Sequence, residues 1–116
     1  VSAPYEYALI RVVPRTDRGE FVNVGVILYC QEPMVLRAST HIDVERLVAL
    51  WPDVDVDGVR AACDAIAQAC DAPGTGSPRD GLGIGARFRW LTAPRSTVVQ
   101  PGPIHAGMTD DPHREV

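Results

Sequence analysis

"YEYALIRVVPRTDRGEFVNVGVILYC", residues 5–30, decides the fold. Its opening sets tyrosines against polar or small residues and passes into a β-branched run, which predicts a strand over 5–13. Pro14 stops that strand, and "RTDRGE" supplies the Asp and Gly of a turn. "FVNVGVILYC" predicts a second, stronger strand over 21–30, so the pair forms an antiparallel hairpin with a loop of several residues. Gly25, inside an apolar run, points to a bulge or a close approach of another backbone.

Outward from the hairpin, "MVLRAST" follows the break "QEP" and predicts a third strand over 34–40. The apolar period then changes. In "DVERLVALWP" the residues Val44, Leu47, Val48 and Trp51 fall at helical spacing, Asp43 is placed to cap the first free amides, and Pro52 ends the helix. In "DGVRAACDAIAQACDAPG" one face carries Val59, Cys63, Ile66 and Cys70, with Asp57 as the expected cap and Pro73 and Gly74 as the stop. Residues 72–81, rich in Gly, Pro and Ser, are expected as a mobile surface loop. "ARFRWL" is expected as a short helix ending before Pro94, "STVVQ" (96–100) has strand character and is expected to extend the sheet over about 97–101, and "PGPIHAGM" is expected as turns. Strands and helices in blocks imply an α+β fold: an antiparallel sheet built on the N-terminal β-hairpin, with helices packed on one face. One domain over 1–116 is expected, since 116 residues suffice for one core and are short for two.

Apolar residues at 46% and charged residues at 22% give the composition of a folded globular protein. No apolar run nears the roughly 18 residues of a membrane span, and no basic start with an apolar stretch marks export, so a cytoplasmic address is expected. Three cysteines without an export signal argue for reduced thiols. Cys63 and Cys70 lie about 10 Å apart along a helix, too far for a bridge, and read as small core residues. The formal charge of −4 opposes a phosphate backbone, so nucleic acid is disfavoured as a partner. All eleven basic residues are arginine, a usage that suits anion recognition but also a GC-rich genome.

"GLGIGA" fits G-x-G-x-x-A at Gly81, Gly83 and Ala86, but a polar loop precedes it and no carboxylate follows before Asp110, which rejects dinucleotide binding. His41, His105 and His113 are too scattered for a structural zinc site, so neither metal nor cofactor is expected. Cys30 could act as a nucleophile only beside His41 or His105, and reads as an apolar residue ending a strand. No catalytic residue is identified.

"RFRWLTAPRSTVVQPGPIHAG", residues 87–107, holds three arginines and no carboxylate, whereas residues 1–80 hold seven against twelve. On a helix Arg87 and Trp90 share a side, with Phe88 and Leu91 turned inward. Arg95, Ser96, Gln100 and His105 follow, all donors or potential donors able to meet an anion or a partner's carboxylate in one hollow beside the hairpin. The competing reading pairs these arginines with the surplus acids of residues 43–64. Glu20 and Asn23 flank the second strand near Arg15 and Arg18, as a binding loop or as a solvated hairpin end.

The segments "YEYALIRVVPR", "RGEFVNVGVILYC" and "RFRWLTAPRSTVVQPGPIHAG" together resemble the bacterial domain-of-unknown-function family 3037, from about Tyr5 to Gly107, with "GEFVNVGV" and "APRSTVVQ" the most specific parts. The resemblance implies a bacterial, actinobacterial setting and no reaction. Members are often encoded beside a kinase-like protein of toxin–antitoxin type, which implies a protein partner. Its matching positions are Glu20, Asn23, Gly25, Arg87, Trp90, Arg95, Ser96, Gln100 and His105. "GIGA" departs from a more polar helix start, and relatives continue past Val116.

Three roles follow as expectations. The first is a non-enzymatic binding or accessory module that engages a protein partner or an anionic ligand through the arginine-rich late segment. The second is an enzyme on a phosphate-bearing substrate, a nuclease or phosphotransfer enzyme, which needs a carboxylate such as Glu20 beside the arginines. The third is a nucleic-acid-binding protein, favoured by an Arg and aromatic segment and opposed by net charge.

Overall fold

The computed structural model describes residues 3–13, 20–31, 34–71, 83–93 and 97–111. Strands β1 (Ala3–Val12), β2 (Val22–Cys30), β3 (Val35–Thr40) and β4 (Val99–Thr109) form one antiparallel sheet in the order β3-β2-β1-β4. Helices α1 (Val44–Leu50), α2 (Val56–Asp71) and α3 (Gly83–Leu91) fill the chain between β3 and β4. The fold is α+β and rests on the N-terminal hairpin, whose register runs from Tyr5 opposite Cys30 to Val12 opposite Val22. Ile10 faces Gly25 but Arg11 faces Asn23, so Val24 is an extra residue and the strand carries a bulge beside Gly25. The hairpin loop and the loop expected over 72–81 lie outside the described residues.

Alternation explains which side of the sheet the helices cover. Ile10, Val12, Val22, Ile27 and Leu36 are buried and meet Leu47 of α1, Val59, Cys63 and Cys70 of α2, and Phe88 and Leu91 of α3. Phe88 is fully buried, and its ring stacks on Tyr29 of β2 with centroids 5.4 Å apart. The predicted stripe of α2 and the inward pair of α3 are therefore core. Gly85, within the atypical "GIGA" start, has a physical reason: a Cβ there would lie 2.8 Å from the Tyr29 hydroxyl oxygen. The helix also begins three residues ahead of the expected Ala86. No described helix is long and apolar enough to cross a membrane.

Two expectations are corrected. Asp57 does not cap α2. Asp55 does, its carboxylate accepting the Gly58 N–H at 2.9 Å while its carbonyl accepts the Val59 N–H at 3.0 Å, and Asp57 sits within the first turn. Asp43 caps α1 as expected, accepting the Arg46 N–H at 3.1 Å. The larger correction concerns "PGPIHAGM", which is not a set of turns but most of an eleven-residue strand. Pro101 and Pro103 are tolerated because β4 is an edge strand, where a missing N–H need leave no ladder bond unmade. Ala8 faces Ile104 and Ile10 faces Pro101, so a second bulge at Gly102 and Pro103 absorbs the irregular residues.

Candidate functional site

The residues singled out in the sequence separate onto two surfaces. Trp90 of α3 is 65% exposed and rims an apolar groove of about 530 Å³ between α2, α3 and the start of β4. Trp51, Ile66 and Val99 wall this groove, and Gly58, Ala62, Ala65 and Ala69 form its α2 side. Arg87 is half-buried on α3 and its charge reaches Cys70 at the end of α2. Arg95 and Ser96 lie outside the described residues. Glu20 is exposed just ahead of β2.

Asn23, Gln100 and His105 are elsewhere, on the sheet. The register assigns each to the face opposite the helices: Asn23 and Gln100 both flank Arg11, and His105 flanks Tyr7. Gln100 donates its amide to the Thr97 carbonyl at 2.7 Å. The exposed His105 ring lies 5.2 Å from that of Tyr7; a hollow of about 270 Å³ that also touches His105 is lined mainly by helix-side positions such as Glu6, Tyr29 and Ile104. Among the described candidates, Trp90 therefore stands at the groove, while Asn23, Gln100 and His105 stand on the opposite sheet face.

That face is built by the two-residue period of the strands. β1 contributes Tyr5, Tyr7, Leu9 and Arg11 to it, β2 Asn23, Leu28 and Cys30, β3 Val35, Arg37 and Ser39, and β4 Gln100, His105, Gly107 and Thr109. No described helix packs on it. At one end Leu28, Cys30 and Val35 are buried beneath their neighbours, with Ala3 and Tyr5 packed against them. Cys30 Sγ lies 3.4 Å from the Pro4 carbonyl oxygen, inside this cluster and not at a reactive surface. The rings of Tyr5 and Tyr7 stack at 5.9 Å and continue to His105, giving three contiguous rings.

At the other end stands Arg11, half-buried, with Cζ 4.0 Å from the centre of the Phe21 ring. Its guanidinium lies over Gly102, where any Cβ would collide with it, and its Nε is buried without a hydrogen-bond partner among the described residues. Rows across the sheet then read Arg37, Leu28, Tyr7, His105 and, further along, Asn23, Arg11, Gln100. None of the strand positions on this face is a carboxylate. Glu6 alternates to the helix side, where Arg89 approaches it at 4.0 Å. The described helices and their caps carry Asp43, Glu45, Asp55, Asp57, Asp64 and Asp71. The same helices also carry Arg46, Arg60, Arg87 and Arg89, whereas the strand positions of the opposite sheet face carry Arg11 and Arg37 and no acid.

Sequence reading missed Tyr5, Tyr7, Arg11, Phe21 and Arg37 as a group. The signal is present in "YEYALIR", whose alternation places Tyr5, Tyr7 and Arg11 on one face, but tyrosines are also ordinary strand formers and do not by themselves mark a site. Buried thiols offer no second site. Burial first, then neighbouring Asp71, pushes Cys70 up to about 11, against a smaller lowering by Arg87, and burial likewise raises Cys63. Among the described residues no group of three His, Cys, Asp or Glu stands close enough to hold a metal ion.

Comparison with known proteins gives one family match, "protein of unknown function (DUF3037)", over residues 7–116. No curated protein and no solved structure matches the chain. The family profile covers nearly the whole chain, including most of the hairpin, all three helices and β4, and the chain therefore belongs to the DUF3037 family.

Proposed function

We propose that the protein is a small non-enzymatic binding module whose working surface is the sheet face on which no described helix packs, and that it takes an anionic ligand presenting planar apolar surface. One observation carries this reading: Tyr5, Tyr7, Phe21 and His105 share a face with Arg11 and Arg37, and no strand position there is acidic. Guanidinium groups supply charge-assisted hydrogen bonds to oxyanions, and the rings supply stacking area. The absence of carboxylates from these strand positions favours binding over phosphate-ester chemistry, which needs a base or metal ligand beside the anion. The test is titration of 15N-labelled protein with inorganic tripolyphosphate. Shifts centred on Arg11, Asn23 and Gln100 and abolished by Arg11→Gln support the reading; shifts elsewhere, or none, overturn it.

A second reading places a protein partner on the Trp90 groove, favoured by a large indole 65% exposed at the rim of an apolar cleft. A neighbouring kinase-like protein is the first candidate to assay, with Trp90→Ala expected to weaken binding at least tenfold.

A further inference from the structure

We infer that the ligand of the sheet face opposite the described helices is single-stranded nucleic acid, its bases stacking on the rings of Tyr5, Tyr7 and His105 and its phosphates met by Arg11 and Arg37. The inference rests on the proposed function and names the ligand class of that same face.

Three features narrow the class from anions in general. First, the rings are contiguous, at 5.9 Å and 5.2 Å between centroids, so they form a platform and not isolated side chains. Every base has a π-face, and stacking platforms of this kind bind unpaired strands with little regard to sequence. A duplex buries its base faces in its own stack and offers the platform nothing. Second, the cations are spaced along and across the sheet. Arg11 is four residues from Tyr7 on β1, about 13 Å along the strand, and Arg37 is two strands away in the Tyr7 row, about 10 Å across. A phosphodiester chain spans such distances; a lone phosphate does not. Third, the guanidinium of Arg11 stands over the Phe21 ring and over the Cβ-free Gly102, and the cross-strand neighbours of Arg11 are Asn23 and Gln100, the latter donating its amide to the Thr97 carbonyl. That arrangement suits a non-bridging phosphate oxygen pair or a base edge.

Net charge does not remove this reading. The −4 belongs to the chain as a whole, and the described helical acids lie in the layer behind the sheet. Layers pack about 10 Å apart, near the screening length of physiological salt, so the acids slow encounter more than they oppose contact.

The experiment is fluorescence anisotropy with a labelled eight-nucleotide oligouridylate and the matching oligothymidylate, with a blunt duplex and tripolyphosphate as competitors. The expected result is binding of the single strands, no competition by the duplex, and weakening by roughly 5- to 100-fold in Tyr7→Ala, in line with loss of one stacked base. Tyr7→Phe should retain affinity and Tyr7→Leu lose it, which carries the test if Tyr7→Ala fails to fold. If tripolyphosphate binds the face and displaces the oligonucleotide while Tyr7→Leu changes nothing, the anion reading holds and the nucleic-acid inference is overturned. If no anion perturbs the face, both fall.

Discussion

Arg11 concentrates the energetics of the proposed surface in one side chain. Its buried Nε lacks a partner among the described residues, and an unsatisfied buried donor costs about 1–3 kcal/mol. The contact with Phe21 returns only about 0.5–1 kcal/mol. Arg11→Leu should therefore leave stability to urea unchanged within ~1 kcal/mol, or raise it, while abolishing tripolyphosphate shifts; a large loss of stability would make Arg11 a structural residue. Cys70 gives a second prediction at this scale. Its folded-state pKa of about 11 lies above the ordinary thiol value of 9.0, so the folded state holds the proton more tightly. This contribution is intact below pH 9, and stability falls between pH 9 and 11 as the unfolded chain loses its proton first. Cys70→Ser should flatten that part of the pH dependence of the urea midpoint. Of the residues on the face, Asn23, Gln100 and His105 were legible as donors. Alternation in "YEYALIR" places Tyr5, Tyr7 and Arg11 on one face, but only register shows that Arg37, His105, Asn23 and Gln100 stand in their rows.

Elements were legible where the signal is local. The hairpin follows from alternation and from Pro14 with its turn residues, and α2 from an apolar stripe at helical spacing. Its cap was assigned to the wrong aspartate because Asp55 and Asp57 are the same residue type two positions apart, and only the carboxylate geometry distinguishes them. Asp55→Ala should cost about 0.5–2 kcal/mol in urea unfolding and Asp57→Ala only a few tenths; equal losses would contradict the assignment. The reading of β4 failed for a different reason. Proline and glycine punctuate a sequence locally, but tolerance of proline depends on whether a strand has a neighbour on both sides. Edge position is set by the whole sheet order, which no window of residues contains. Once β4 is a strand, Gln100 and His105 belong to the sheet and part company with Trp90.

Across the molecule, the decisive property is that one sheet face carries arginines and rings at its strand positions with no carboxylate among them. A net value of −4 argues against polyanions, yet the strands of that face carry arginine, histidine and aromatic rings without a carboxylate. The late segment's missing acids hinted at this. Its actual partners on the face, Tyr5, Tyr7 and Arg11, come from the opposite end of the chain. Two arginines imply a shallow salt dependence, with log affinity for a single strand falling against log salt at a slope of about −1.4. A slope several times steeper would require cations beyond Arg11 and Arg37. The account stands most directly on whether a ligand seats over Tyr7. A photo-crosslinking phenylalanine analogue placed at position 7, and separately at position 90, should yield in cells a phosphate-bearing adduct at position 7 and none at position 90. Adducts at position 90 alone would contradict the sheet face as the working surface.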